Sequence, residues 1–426
     1  MRSAIARRAA LALLPLLAAA CRGGADADVQ VIRFWAMGRE GEVVEALVPE
    51  FERRNPGIRV QVQQIPWSAA HEKLLTAFVG GATPDVSQLG NTWVPEFQAL
   101  GALEPLDARA AASRSVDRAD YFEGIWDTNV IDRRTYGLPW YVDTRVLFYR
   151  PDLMAAAGHP DPPTTWAGWV DAMRAMKARM GPGQHPILLP TNEWPQPVIL
   201  GMQAGSTLLR DGDRYGDFRD PAFRRGFDFY ISLFREGLAP RVSASEISNR
   251  YQEFERGNVA MFITGPWEIG EFTNRVKGVP WATAPLPGPD GPGVSLAGGA
   301  SLVLFRASER KEAAWKFIEF LSEPANQVRF YELTGDLPAR RSAWRSPALA
   351  SNAHAAAFRS QLDRVVPLPK VPEAEQIVNR VFEQGERAAR GQATVDEALT
   401  ALDGEVDRLL EKRRWMLSRH ASAVTP

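Results

Sequence analysis

Carboxylates and aromatic rings that fall together in segments rich in turn formers are where this chain can do chemistry. The densest such segment is Tyr136-Gly137-Leu138-Pro139-Trp140-Tyr141-Val142-Asp143. An ionised Asp143 either accepts hydrogen bonds from a ligand's hydroxyls, charge-assisted bonds that are stronger than neutral ones, or holds a turn by pairing with Arg145. Tyr141 stands two residues away, on the same side of an extended segment, and Trp140 adds a ring beside it. Trp267 follows Gly265 and Pro266, so its ring is either presented outward by a turn or folded into a core. Gly298 and Gly299 either let a ligand approach bare backbone amides or supply a bend that needs permissive dihedrals. Glu40, ahead of a helical pattern, is either a hydroxyl acceptor or a solvated acid at a helix start. Asn192 and Trp194 sit in a proline-containing loop, where they either line the same surface or serve the loop alone.

Other chemistry finds little support. His71, His159, His185, His354 and His420 lack metal-ligand spacing. No Gly-rich phosphate loop follows a strand, and no Gly-x-Ser elbow marks a strand-to-helix turn. Cys21 is the only cysteine. It closes a short apolar run, residues 9–17, that follows Arg2, Arg7 and Arg8, and Ala18-Ala19-Ala20 precede it. This resembles a bacterial lipoprotein signal in which Cys21 becomes the lipidated first residue, although Ala18 stands where Leu is usual and Leu17 lies one position further out. An ordinary secretory signal cut at Ala-x-Ala is the alternative. Residues 22–28 are small and polar, as a flexible tether is. The remainder is then extracytoplasmic, lipid-anchored to the cell membrane, and without internal disulfides, so a large apolar core must hold it together.

With 426 residues, the chain is longer than one core usually serves, which implies two domains. A net charge of −1, with basic residues dispersed among acidic ones, gives no footprint for nucleic acid. Tryptophan outnumbers tyrosine, 13 to 8, and brings flat apolar faces to wherever it is exposed.

Apolar periodicity places the candidate residues on loops. Residues 29–35 read as a buried strand, and residues 42–54 as a helix with Val43, Val44, Leu47, Val48 and Phe51 on one face, stopped by Asn55-Pro56-Gly57. Ile58, Val60 and Val62 alternate as a second strand. Ser68 is placed to cap a helix bearing Leu74, Leu75, Phe78 and Val79. Residues 85–89 form a third strand and residues 93–100 a further helix. This alternation predicts a parallel sheet with its ligand site at the carboxyl ends of the strands, so residues 36–42 and 90–93 face a cleft. Residues 136–141 interrupt the pattern before a strand at 146–149 and mark a crossover between lobes. Pro162-Pro163-Thr164-Thr165 begins a helix bearing Trp166, Trp169, Met173 and Met176, and 221–237 is helical. The Pro- and Gly-dense stretch 280–299 suits a return crossing. A strand at 301–305 and a helix with Ala313, Ala314, Phe317, Ile318 and Leu321 follow.

The run from Tyr136 to Leu153, together with Pro162 to Trp166, Phe254 to Trp267 and Gly298-Gly299-Ala300-Ser301, resembles the carbohydrate-binding proteins of bacterial ABC importers. The likeness extends from Phe34-Trp35 through Thr83-Pro84-Asp85-Val86 to Ala398-Leu399, and its specificity lies in the order and spacing of these segments. It implies an α/β, two-lobed, type II periplasmic-binding-protein-like fold, each lobe a mostly parallel sheet flanked by helices. Residues 29–139 with 297–338 would form one lobe, and 140–296 with 339–426 the other. It implies a monomeric, non-enzymatic protein with no cofactor, which passes a neutral sugar to permease subunits served by a cytoplasmic ATPase. Tyr141 and Asp143 match a Tyr-x-Asp of related disaccharide binders, and Trp267 a stacking platform. Asn91 and Trp93 follow the third strand, where the family places a polar contact; some members have Asp where this chain has Asn91. Arg364 resembles an arginine reaching the sugar from the C-terminal part. The Tyr-x-Asp pair and Arg364 favour an α-linked disaccharide. Two rival readings remain. A glycoside hydrolase would set Asp143 against Glu40 or Glu268 across a sugar, and a related binder would take a peptide, a polyamine or a glycerophosphodiester.

Overall fold

The computed structural model describes residues 29–424; Cys21, the signal and the tether lie outside them. Strand β1 (Gln30–Met37) ends in the apolar run Phe34–Met37 because both its faces are covered there. Ile32, Phe34 and Ala36 join one core cluster, while Trp35 and Met37 join another. The single helix expected over 42–54 is divided into α1 (Gly38–Val43) and α2 (Val48–Arg54), with a 3-10 turn between them. Pro49 is the cause: it suits the first turn of α2 but cannot sit inside a longer helix. After β2 (Ile58–Ile65), helix α3 (Trp67–Val79) starts at Pro66, and Ser68 makes no capping bond because it already lies within the first turn. Strand β3 (Val86–Gly90) and helix α4 (Val94–Ala99) complete this part.

The chain then runs through β4 (Leu138–Asp143) and β5 (Val146–Tyr149). Helix α5 (Trp166–Lys177) is capped by Thr165 and buries Trp166, Trp169, Met173 and Met176, the face predicted from sequence. It is followed by β6 (His185–Leu188), α6 (Pro195–Gln203), α7 (Pro221–Arg235), β7 (Val259–Thr264), α8 (Glu268–Arg275) and β8 (Ala282–Ala284). The return passes β9 (Ser295–Leu296) into β10 (Gly298–Leu304), α9 (Lys311–Ser322), α10 (Pro324–Thr334) and β11 (Leu337–Pro338). A last crossing, β12 (Val365–Val366), leads to α11 (Ala374–Ala389) and α12 (Val395–Leu409), which pack in the core of the second lobe with α6 and α7.

The fold is the two-lobed α/β fold expected. One sheet has the order β11-β4-β10-β3-β1-β2 and the other β8-β5-β7-β6. Both are mixed, not mostly parallel: β1 pairs in parallel with β2 and β3, but β10 runs antiparallel to β3 and β4, and β7 antiparallel to β5. The antiparallel pairings belong to the strands beside the crossings, where the chain turns back. The position of the first crossing also differs from expectation. Residues 140–143 stay in the first sheet, paired with β10, and the chain changes lobe only at Thr144-Arg145. The turn formers before Trp140 resemble a link because Pro139 has no N–H for a ladder. The register shift between Ala300 and Ser301 accommodates it inside a strand. The segment after β11 likewise stays with the first lobe: Trp344 Nε1 donates to Pro338 O (2.9 Å), and Arg340 pairs with Asp120 (2.7 Å). Among the described residues no helix is long and apolar enough to cross a membrane.

Candidate ligand-binding cleft

The carboxyl ends of β1 and β3, the ends of β4 and β10 at the crossing, and two loops of the second lobe surround one cleft of about 1120 Å³, measured to its open mouth. Nine of the residues singled out in the sequence line it: Glu40, Asn91, Trp93, Tyr141, Asp143, Trp194, Trp267, Gly298 and Gly299.

Glu40 opens α1 and is 9% exposed. It is fixed from below. Tyr141 Oη donates to Glu40 Oε1 (2.8 Å), Gln88 Nε2 donates to Tyr141 Oη (3.0 Å), and the Met37 amide anchors Gln88 Oε1 (2.8 Å). Burial and the neighbouring Glu40 charge raise the Tyr141 phenol well above its usual value, so it stays a donor. Asp143 closes β4, two residues on and on the same face as Tyr141. It plays both roles the sequence left open, since it lines the cleft and its carboxylate pairs with Arg145. Burial raises its carboxyl and Arg145 opposes the shift.

The Arg145 guanidinium in turn lies 4.5 Å over the Trp267 ring. Trp267 is 44% exposed, so the turn presents it outward. Its ring folds back over Gly265, where an added Cβ would stand 2.0 Å from it. On the opposite wall Trp93 meets Trp67 edge-on (5.7 Å) and the His71 ring (5.1 Å), and His71 Nε2 bonds Glu96 (2.6 Å). Trp194, at the start of α6, adds a further ring from the second lobe. Asn91 spends its amide on Ala297 O (2.9 Å), tying the end of β3 to the crossing.

Three expected residues are elsewhere. Trp140 is 1% exposed, stacked on Phe330 (4.3 Å) and edge-on to Phe34 (5.9 Å), because alternation along β4 turns it to the face opposite Tyr141 and Asp143. Asn192 Oδ1 accepts from the Ala244 amide (2.7 Å) and holds a loop of the second lobe. Arg364 ends a 3-10 turn and its guanidinium reaches Ser360 Oγ (3.3 Å). Glu268, considered as a partner carboxylate for Asp143, is 2% exposed and does not line the cleft; it is bonded by Tyr251 Oη (2.9 Å) and lies near Arg250 (3.4 Å).

Sequence reading missed Trp67, Arg145, Asp336 and Glu375, and it placed Thr92 on the cleft-facing loop 90–93 without singling it out. Trp67 was within reach of the rule that found Glu40 and Asn91, since it follows β2 directly in a parallel sheet. The Thr92 hydroxyl donates to the Glu375 carboxylate, a bond from the first lobe to α11. No sequence signal marks Glu375 or Asp336.

The two glycines of β10 serve the backbone. At Gly299 (φ +124°) an added Cβ would stand 2.3 Å from the Tyr141 carbonyl, and at Gly298 3.0 Å from that of Asp143. Gly299→Ala is predicted to lose roughly 2 kcal/mol or more of stability and Gly298→Ala clearly less. Equal melting temperatures for the two variants would refute this.

The profile of the bacterial extracellular solute-binding protein family matches residues 36–328. Among solved structures, the sugar-binding protein MalE from the phytopathogen Xanthomonas citri superposes with a TM-score of 0.89 at 50% identity, covering 91% of this chain and 99% of that one. The diacetylchitobiose binding protein DasA of Streptomyces coelicolor is 24% identical over 417 residues, 93% of this chain and 96% of DasA. The maltodextrin-binding protein MdxE of Bacillus subtilis is 23% identical over 348 residues, 79% of each chain.

Proposed function

We propose that this chain, which belongs to the bacterial extracellular solute-binding protein family, captures a neutral sugar between its lobes and delivers it to the transmembrane subunits of an ABC importer. The observation that carries this reading is the convergence of Trp67, Trp93, Trp194 and Trp267 with Glu40 and Asp143, drawn from both lobes, on one cleft. A sugar presents hydroxyls to carboxylates and flat C–H faces to aromatic rings, and it needs both on a concave surface. The ligand class we favour is an α-linked di- or oligosaccharide, a choice supported by the Tyr141 and Asp143 pair and by relatives named for MalE-type sugar and maltodextrin binding. Arg364, away from the cleft, no longer supports it.

Ligand contacts to both lobes favour the closed form by their differential affinity for it. Micromolar affinity, about −8 kcal/mol, populates closure and still permits release. We place the protein outside the cytoplasm as a monomer, held to the membrane through a lipid on Cys21. Family and fold are those of substrate-binding proteins, not enzymes.

Calorimetric titration of the signal-less protein against trehalose, maltose, sucrose, glucose and glycerophosphocholine, with product analysis, tests the reading. Saturable binding of unchanged sugar supports it; cleaved sugar moves the case to a hydrolase, and binding of the phosphodiester alone overturns the sugar assignment. Asp143→Ala is predicted to weaken sugar binding at least tenfold with little change in the melting curve of the free protein. An unaltered dissociation constant would remove Asp143 from the ligand's contacts.

A further inference from the structure

Asp336 lies between Gly335, which ends α10 in a left-handed conformation, and β11. Because Leu337 pairs with Val142 and Pro338 with Tyr141, Asp336 comes opposite Asp143 across the edge of the sheet. It lines the cleft together with Glu40. With Glu375, which the Thr92 hydroxyl holds, four carboxylates face one concave space, and the surroundings of the other three differ. Asp143 has Arg145, and Glu40 has the hydroxyl of Tyr141. Among the described residues Asp336 has no ion pair; the Thr334 side chain at the end of α10 bonds it, and Arg39 on α1, a cation that acts on it, has its guanidinium on Leu333 O (3.0 Å). The groups that face Asp336 are thus Glu40 and Arg39 from α1 and Tyr141 and Asp143 from β4.

From this geometry we propose that Asp336 is a specificity-determining contact of the cleft, a carboxylic acid that keeps its proton and donates a hydrogen bond to a ligand oxygen, where Glu40 and Asp143 accept. The inference rests on the reading of the cleft as a sugar site and adds to it a donor whose strength depends on pH. Like charges crowded in a low-dielectric space cannot all ionise, and Asp336, which has neither the ion pair of Asp143 nor the tyrosine hydroxyl held on Glu40, gives way. Burial, with Glu40 second, pushes the Asp336 carboxyl up to about 7. A ligand oxygen that accepts its proton favours the protonated form further, so binding takes up protons and affinity falls as pH rises through this range. A site with acceptors alone would bind alike on either side of neutrality.

The free protein carries the same signature. Since the folded-state value lies above the unfolded carboxylate's value near 4, stability falls as pH rises from about 4 to about 7. Replacing Asp336 by a neutral amide removes that loss.

The test is calorimetry with maltose and trehalose at pH 5.5, 7 and 8.5, in buffers of differing ionisation enthalpy, for the parent, Asp336→Asn and Asp336→Glu, with pH-dependent melting of each free protein. The parent is expected to bind at least fivefold more weakly at pH 8.5 than at pH 5.5 and to take up protons near pH 7. Asp336→Asn is expected to lose both effects and to melt above the parent by a margin that is larger at pH 8.5 than at pH 5.5, and Asp336→Glu to keep a pH dependence. Sugar binding by the parent that is flat with pH, or a dependence that survives in Asp336→Asn, overturns this inference and leaves the sugar site standing. Absence of binding to any sugar at any pH overturns both.

Discussion

Trp267→Ala should bind sugar at least tenfold more weakly, a loss of roughly 1.4 kcal/mol or more, while the free protein melts as the parent does. Trp267 is exposed on a turn at the mouth of the cleft and lies outside the core clusters, so removing its ring leaves no cavity. What disappears is a flat apolar face for the sugar and the surface on which Arg145 rests. Arg145 also pairs with Asp143, so the ring, the guanidinium and the carboxylate form one connected side of the site. Part of the loss would then reach the ligand through Asp143, and a double variant with Asp143→Ala should lose less than the sum of the two single effects. Normal binding by Trp267→Ala would sink the stacking assignment, and strict additivity would sink the coupling.

Trp140→Ala should behave in the opposite way, although sequence reading gave both tryptophans the same role. Trp140 lies against Phe34, Phe330 and Tyr141 in the core of the first lobe. Truncation of such a ring costs about 3–5 kcal/mol, because the contacts vanish and the cavity closes only in part. The melting temperature should fall steeply. Sugar affinity, measured at a temperature where the variant is still folded, should change far less than in Trp267→Ala, the residual effect coming through Tyr141 on the other face of the strand. A Trp140→Ala protein that melts normally but fails to bind would place Trp140 back among the ligand contacts.

Much of this architecture is local and therefore legible in the chain. The alternation of strand and helix through residue 100, the cap and buried face of the helix from Trp166, and the rule that ligands sit at strand carboxyl ends together located Glu40, Asn91 and Trp93. Alternation along an extended segment kept Tyr141 and Asp143 together. Applied to Trp140, it would also have excluded that residue, since side chains one apart on a strand point to opposite faces. Pro139 obscured this by making a strand look like a link.

The sequence by itself determined the two-lobed fold, the order of the crossings and most of one wall of the cleft, since each rests on periodicity or on residues near in the chain. Tertiary structure alone decided which acids share the site. Asp336 meets Glu40 and Asp143, and Thr92 meets Glu375, across separations that leave no periodic trace. Burial and the placement of counter-ions, which among the described residues give Asp143 an ion pair with Arg145 and Asp336 none, exist only once the sheets have brought those segments side by side.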